Sequence, residues 1–303
     1  MAEAGGADRK IEKISAEYTI LPSDPQISII IVNHLTDHLL TDCIESINKL
    51  QFDGGIEIII IDNPNAQSGE LSLNLHRIKR FETGKRLGYG TACNIGAGQA
   101  HGKYLLFLNP DVTLKPDSVA ELLRVLVENK DAGLSTARLL DIQGKFQPSC
   151  RRFPTIGKLL FSRGSALNRA VSRRDTVYAY PEFSETTAIE TCAAAVILIE
   201  RELFLSLGGF DEKFYMYVED TDLCRRLYHA GYKVYFVPQA EGVHIHGAST
   251  CNYRFRRIIW HHVSVFRYFR KHRAGLLTFL ILPLLLTANC CLSLLMELFR
   301  LRS

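Results

Sequence analysis

The sequence has no Cys-x-x-Cys pair, a single tryptophan, three methionines and no internal repeat. The missing pair excludes a zinc knuckle or a thioredoxin-type motif. Its eight cysteines, at 43, 93, 150, 192, 224, 251, 290 and 291, keep no regular spacing, which reads as reduced thiols in a cytosolic compartment rather than a disulfide framework. Met1 to Lys13 has no apolar core, so it is not a secretory signal, and 1–25 reads as a loose leader. There is no Walker loop, because Gly84-Lys85 is not followed by Ser or Thr and no glycine stands five residues before Gly84. The dinucleotide fingerprint is absent too, since no glycine follows Gly88-Tyr89-Gly90 until Gly96. Acid is absent from 242–296. Residues 242–303 hold nine Lys/Arg and one acid, which leaves 27 Lys/Arg against 31 Asp/Glu for residues 1–241. A net acidic body with its positive charge confined to the C-terminal fifth argues against nucleic-acid binding.

What is present is 303 residues, 47% hydrophobic and 22% charged, which fits one or two packed domains. Ile-rich runs at 26–32 and 56–62, a short run at 76–81 and another at 103–109 alternate with stretches of helical period at 38–50, 63–75, 90–101 and 116–130. Continuous apolar strands alternating with helices predict an α/β domain over 26–250, with a parallel sheet covered on both faces. In such sheets ligands gather beyond the carboxyl ends of the strands, where Val32–Asn33, Asp62 and Asn109–Asp111 fall. Further on, 190–200 reads as a buried strand, 200–207 and 219–229 as helices, and 233–238 as a strand.

The C-terminal region is different in kind. Residues 251–273 carry seven Lys/Arg, three His and no acid, interleaved with Trp260, Phe266, Tyr268 and Phe269. From Ala274 to Met296 there are 23 positions without a charge, and a helix of that length rises about 34 Å, enough for a hydrocarbon core. The reading is a basic aromatic juxtamembrane segment at 251–273, a membrane segment at 274–299 and a tail at 300–303, with the basic flank on the cytoplasmic side. Pro283 and Asn289 interrupt the run. The segment either crosses once or dips in and returns as a Pro-kinked hairpin, and a buried core helix is the remaining alternative.

Asp111 follows an apolar strand, and a carboxylate there is a hard ligand suited to Mg²⁺ or Mn²⁺ beside a diphosphate; the bland reading is a helix-initiating turn. Glu219, Asp220 and Asp222 open a helix, where carboxylates serve either as caps or, if one faces a cleft, as a general base. His244 and His246 alternate along an extended segment and are ligands, base partners or buried polar residues. Glycines at 84, 88, 90, 96 and 98 surround Arg86, Tyr89 and Asn94 and would let backbone approach a phosphate closely, with Arg86 supplying charge.

Taken in order, ISIIIVNH at 27–34, IIIDNP at 59–64, RLGYGTACNIGAGQAHGKYLLFLNPD at 86–111, GGFDEKFYMYVEDTDLCRRL at 208–227 and VHIHGAS at 243–249 resemble the inverting glycosyltransferases of family 2. Within that family they resemble the rhamnosyltransferase-like group of bacterial surface polysaccharide assembly. The resemblance implies the GT-A fold, a Rossmann-like nucleotide-binding sheet with helices on both faces. It implies Asp62 beside the nucleotide base or ribose with Val32 and Asn33 next to it, and Arg86, Asn94 and Asn109 lining the nucleotide-sugar pocket. Asp111 takes the last place of the family's D-x-D metal motif, with Asn109 where the first Asp stands. Asp220, with Glu219, matches the catalytic E-D motif, His244 a metal or diphosphate contact, and His246 and Asp222 acceptor or diphosphate contacts. The implied partners are a nucleotide-sugar donor, dTDP-rhamnose before UDP- or GDP-sugars, and a polyprenyl-diphosphate-linked glycan acceptor. The implied location is the cytoplasmic face of the inner membrane, with a homo-oligomer open. An inactive nucleotide-sugar-binding scaffold is the alternative.

Overall fold

A computed structural model describes residues 25–64, 78–155, 179–245, 253–273 and 275–300. The leader, most of the helix expected at 63–75, the Arg- and Ser-rich stretch 156–178 and the end of the VHIHGAS block, His246 included, lie outside the described residues.

Strands β1 (Ile27–Asn33), β2 (Ile56–Asp62), β3 (Ile78–Glu82) and β4 (Tyr104–Leu108) form a parallel half-sheet in the order β3-β2-β1-β4. Side chains alternate across it as strand geometry requires. Ile27, Ile29 and Ile31 pack under helices α1 (Asp37–Asn48) and α3 (Ser118–Glu128). Ile30 and Val32 face the opposite layer, which contains α2 (Tyr89–Gly98). Each fully buried Ile contributes on the order of 1.5–3 kcal/mol, so this Ile-rich centre is the anchor of the fold.

The second half departs from the all-parallel expectation. Strands β5 (Val112–Leu114), β6 (Ala132–Leu140), β8 (Thr187–Ile189), β10 (Val196–Glu200) and β11 (Lys233–His244) complete a sheet of nine strands among the described residues, in which β10 lies antiparallel between β4 and β6. A strand buried on both faces carries no direction in its apolar pattern, so the sequence does not distinguish the two senses. The consequence is functional. Val196 pairs with Leu108, so the start of β10 meets the carboxyl end of β4, and residues 194–195 join the ligand edge. A small ribbon of β7 (Cys150–Arg151) and β9 (Thr191–Cys192) lies just before β10.

Helices α4 (Arg201–Ser206) and α5 (Glu219–His229) cover the same face as α2. The strand expected at 233–238 runs on to His244, pairing with β6 and, at its end, with β5. The basic segment is one helix, α6 (Arg254–His272). The apolar run is broken into α7 (Leu276–Leu280) and α8 (Leu282–Arg300), with Pro283 in the first turn of α8, where a missing N–H is harmless. These helices make a separate core in which Val265, Tyr268 and Phe269 of α6 meet Leu282 and Leu286 of α8 and Phe214 of the main domain. All seven cysteines among the described residues are free thiols.

Candidate active site at the carboxyl edge of the sheet

Asn33 and Asp62 are register partners at the ends of β1 and β2, both buried. Asn33 Nδ2 donates to Asp62 Oδ1 at 2.7 Å and to Asp37 Oδ1 at 2.8 Å, while its Oδ1 accepts from Thr36 at 2.8 Å. Arg80 of β3 grips Asp62 from the other side, Nη2 donating to Oδ1 at 2.9 Å and Nε to Oδ2. Asp62 therefore sits at the carboxyl edge of the sheet and already accepts three hydrogen bonds, one of them from Asn33. Arg80 was not legible in the sequence, where one arginine in a short edge strand carries no signal.

The loop after β3 is clamped by Asn63, whose side chain donates to Leu87 O at 3.1 Å and accepts from Leu87 N at 2.9 Å. That clamp positions Arg86. Its guanidinium carbon lies 3.9 Å from the Tyr253 ring centroid and 5.2 Å from that of Trp260, and its Nη2 is buried with no hydrogen-bond partner among the described residues. A cation held by aromatic faces with an unspent donor is suited to an anionic ligand.

Two expectations change here. Asn94 does not face the pocket: its Nδ2 donates to Phe210 O and its Oδ1 accepts from Phe210 N, both at 2.8 Å, so it braces the turn before the acidic motif. Gly88, Gly90 and Gly96 serve close packing, whereas a Cβ on Gly84 or Gly98 would meet nothing within 4 Å. A Cβ on Gly88 would lie 2.3 Å from Tyr215 O, and one on Gly96 would lie 2.5 Å from Ile30 Cγ2.

Asp111 and His244 meet at the end of β4. Asp111 is 6% exposed, its Oδ1 has no hydrogen-bond partner among the described residues, and His244 Nε2 stands 3.4 Å from that oxygen. Gln147 orients the ring: its Nε2 donates to His244 O at 2.7 Å, and its Oε1 is 3.0 Å from His244 Nδ1. With the amide oriented by the carbonyl, Oε1 accepts from Nδ1–H and Nε2 faces Asp111. An imidazole nitrogen and a carboxylate that close form an ion pair when the ring is protonated and suit a shared cation when it is neutral, and an imidazole whose other nitrogen is fixed by a hydrogen bond is the usual arrangement for a ligand. No cluster of three or more His, Cys, Asp or Glu suited to a metal occurs among the described residues. Gln147 also escaped the sequence, since its role depends on a strand about 100 residues away. Asn109 is half-buried beside this pair, its backbone N–H bonded to Ala195 O at 2.9 Å.

The acidic motif is presented by a strained turn. Tyr217 and Val218 have φ of 67° and 70°, in the left-handed region that β-branched residues avoid. Asp220 is part-exposed and accepts from Ala194 N at 3.3 Å and from Thr221 N at 2.6 Å. The start of β10 thus carries Asp220 to the edge that holds Asp111. Glu219 is buried, and burial, then the Asp220 charge, push its carboxyl up to about 8. At neutral pH Glu219 keeps its proton.

Asp222 is not an acceptor or diphosphate contact. It is fully buried and bonded to Arg226 Nε at 2.8 Å and His272 Nε2 at 2.7 Å, with Lys271 Nζ at 2.8 Å. Burial pushes its carboxyl up, but His272, Lys271 and Arg226 outweigh this and hold it at about 2. It fastens α6 to α5.

Residues 28–179 match Glycosyl transferase family 2 and residues 106–303 match Glycosyl transferase family group 2. The chain is similar to the rhamnosyltransferase WbbL of Escherichia coli K12, 28% identical over 254 residues, which cover 81% of this chain and 93% of that protein. It is also similar to an N-acetylglucosaminyl-diphospho-decaprenol L-rhamnosyltransferase of Mycobacterium tuberculosis H37Rv, 30% identical over 213 residues, covering 65% of this chain and 68% of that one. Its fold is that of GalNAc-T7, solved with UDP, GalNAc and Mn²⁺, with a TM-score of 0.54 at 18% identity over 88% of this chain and 55% of that one. With a mixed sheet of the GT-A kind, acidic residues gathered at its carboxyl edge and a family match over half its length, the chain belongs to glycosyl transferase family 2.

Proposed function

We propose that the chain is an inverting glycosyltransferase that moves a sugar, L-rhamnose from dTDP-rhamnose before any other, onto a polyprenyl-diphosphate-linked glycan at the cytoplasmic face of a membrane. The observation that carries the chemistry is that Asp220 accepts from Ala194 N while the next residue, Ala195, bonds Asn109, two residues before Asp111 and its partner His244. The choice of rhamnose is supported by the names of both rhamnosyltransferase relatives, and the choice of a polyprenyl-diphosphate-linked acceptor by that of the mycobacterial one.

Asp220 removes the proton from an acceptor hydroxyl. The oxygen attacks the anomeric carbon from the face opposite the nucleoside diphosphate, the bond from that carbon to the diphosphate oxygen breaks, and the configuration inverts. Arg86 supplies fixed positive charge toward the leaving group. Asp111 and His244 would hold Mg²⁺ or Mn²⁺, which supplies further charge against the developing diphosphate. Glu219, kept neutral by burial, adds no second negative charge beside the base.

The test is thermal shift and turnover of detergent-solubilised full chain against dTDP-, UDP- and GDP-sugars with Mn²⁺ or Mg²⁺. One donor should stabilise the protein, and Asp111→Ala should weaken both stabilisation and turnover. Asp220→Asn should lose about 10²–10⁴ in turnover while still binding donor. Near-normal turnover by Asp220→Asn would remove the base assignment, and indifference to every nucleotide sugar would remove the reading as a whole.

A further inference from the structure

Helix α8 is built inside out for water. Its exposed stripe includes Leu284, Leu292, Leu295 and Leu298, the first 72% exposed, while Ser293 and Glu297 are buried and Asn289 is half-buried. A surface helix of a soluble domain shows the opposite arrangement. The apolar surface continues over Leu276, Phe279 and Leu280 of α7 and onto Ile259 and Val263 of α6. By length and composition 278–298 is able to cross a membrane, with a mean hydropathy of 2.2.

The packing of α8 argues against crossing. It runs antiparallel along α6 in one continuous register. Asn289 Nδ2 is 3.0 Å from His262 Nε2, Glu297 Oε1 is 3.9 Å from Arg254 Nη1, and Leu282 and Leu286 share a core with Val265 and Phe269. Helix α6 is in turn fixed to the catalytic domain, through His272 and Lys271 on Asp222 and through Ser264 Oγ, which donates to Met216 O at 2.8 Å. If α8 stood across a bilayer in this register, α6 would go with it and carry Arg256 and Arg270, both exposed, into hydrocarbon, where cationic side chains are rare and costly.

We infer that the paired α6 and α8 form a docking surface for an anionic lipid leaflet, α8 lying in the plane of one leaflet with both of its ends on the side of the catalytic domain. The inference rests on the proposed use of a membrane-borne acceptor and adds how the enzyme meets that membrane. Charge selects lipid over a second copy of the chain. The exposed Arg256 and Arg270 share α6 with Ile259 and Val263, and the exposed Arg273 follows it; a two-fold contact through this face would set those cations against their own copies, whereas an anionic headgroup layer complements them. Because Ser264 holds the carbonyl just before the strained 217–218 turn, the docked helix is also the one that steadies the presentation of Asp220.

The full chain, with Cys290→Ala and Cys291→Ala, is given one reporter, Ser303→Cys or Lys130→Cys, and treated with a membrane-impermeant maleimide in sealed vesicles of each orientation. The chain without a reporter measures labelling of the remaining cysteines. Docking in one leaflet predicts that both reporters label from the same face; labelling of Ser303→Cys from the opposite face overturns the inference. In flotation, wild type should rise with phosphatidylcholine vesicles containing phosphatidylglycerol and lose most of that binding without it, and the Ile259→Asp, Val263→Asp double variant should stay with the soluble protein. Equal flotation of the double variant, or no flotation with any vesicle together with a dimer in light scattering, assigns the face to something other than an anionic leaflet and overturns it. Donor stabilisation in detergent does not depend on topology, so its loss marks failure of the glycosyltransferase reading instead.

Discussion

Glu219 and Asp220 are consecutive, yet their surroundings make them different acids. Glu219 is buried and its proton is held up to about pH 8, against 4.5 for an ordinary glutamate. Across that window the folded state binds a proton that the unfolded chain has released, so this residue makes stability fall as pH rises from 4.5 to 8 and adds no slope outside it. Glu219→Gln, uncharged throughout, should remove that slope. Thermal unfolding of both proteins at the two ends of the window checks it: the variant should gain on wild type at the alkaline end and match it at the acid end. An unchanged difference across the window would mean that Glu219 is ionised in the fold. At this scale the sequence showed the residues whose position follows from an element boundary. Asp62 and Asp111 follow apolar strands and Asp220 opens a helix, so strand and helix ends located them. Arg80 and Gln147 were hidden because their partners, Asp62 and His244, are fixed by sheet register and not by spacing along the chain. Asn94 misled for the same reason, since what it bonds is a loop 116 residues further on.

Among the elements, α5 was readable to the residue, with three acids in its first turn and Gly231 beyond its end. The sense of β10 and the break between α7 and α8 were not, because uninterrupted apolar runs encode burial without direction and Pro283 is compatible with either a kink or a new helix start. What no local pattern announces is that α5 and α6 are joined. Asp222 lies under Arg226, Lys271 and His272 and is held at about 2, against 3.8 for an ordinary aspartate. A depressed carboxyl stabilises the fold above 3.8, and that contribution is lost as pH falls from 3.8 toward 2. Asp222→Ala should cost about 3 kcal/mol at neutral pH, the lower end for an opened buried ion pair because Lys271 is one-third exposed. It should also lose the extra acid sensitivity in that interval. Urea unfolding at neutral and acid pH measures both, and a cost below about 1 kcal/mol would make the contact a surface pair of little weight.

At the scale of the whole molecule, the C-terminal helices are part of the catalytic body rather than an anchor trailing from it. Tyr253 and Trp260 form the aromatic bed of Arg86, Ser264 holds the carbonyl before the strained turn, and α6 and α8 cover Phe214, which is 1% exposed. Each left-handed residue in that turn carries a penalty of about 1–2 kcal/mol, which persists only while surrounding contacts over-determine the conformation. Removing residues 253–303 therefore does more than release the protein from a surface. Phe214 and Val218 lose their cover, Asp222 loses two of its three side-chain partners, and Arg86 loses both rings. The shortened chain should unfold at lower urea concentration than the full chain in detergent. Toward an acceptor dispersed in the same detergent, where membrane encounter plays no part, it should turn over at least about tenfold more slowly, since misplacing a positioned base costs on that scale or more. Full turnover by the shortened chain under those conditions would reduce the C-terminal helices to a membrane attachment. A loss rescued by adding the 253–303 peptide in trans would show that the catalytic turn is held from outside its own domain.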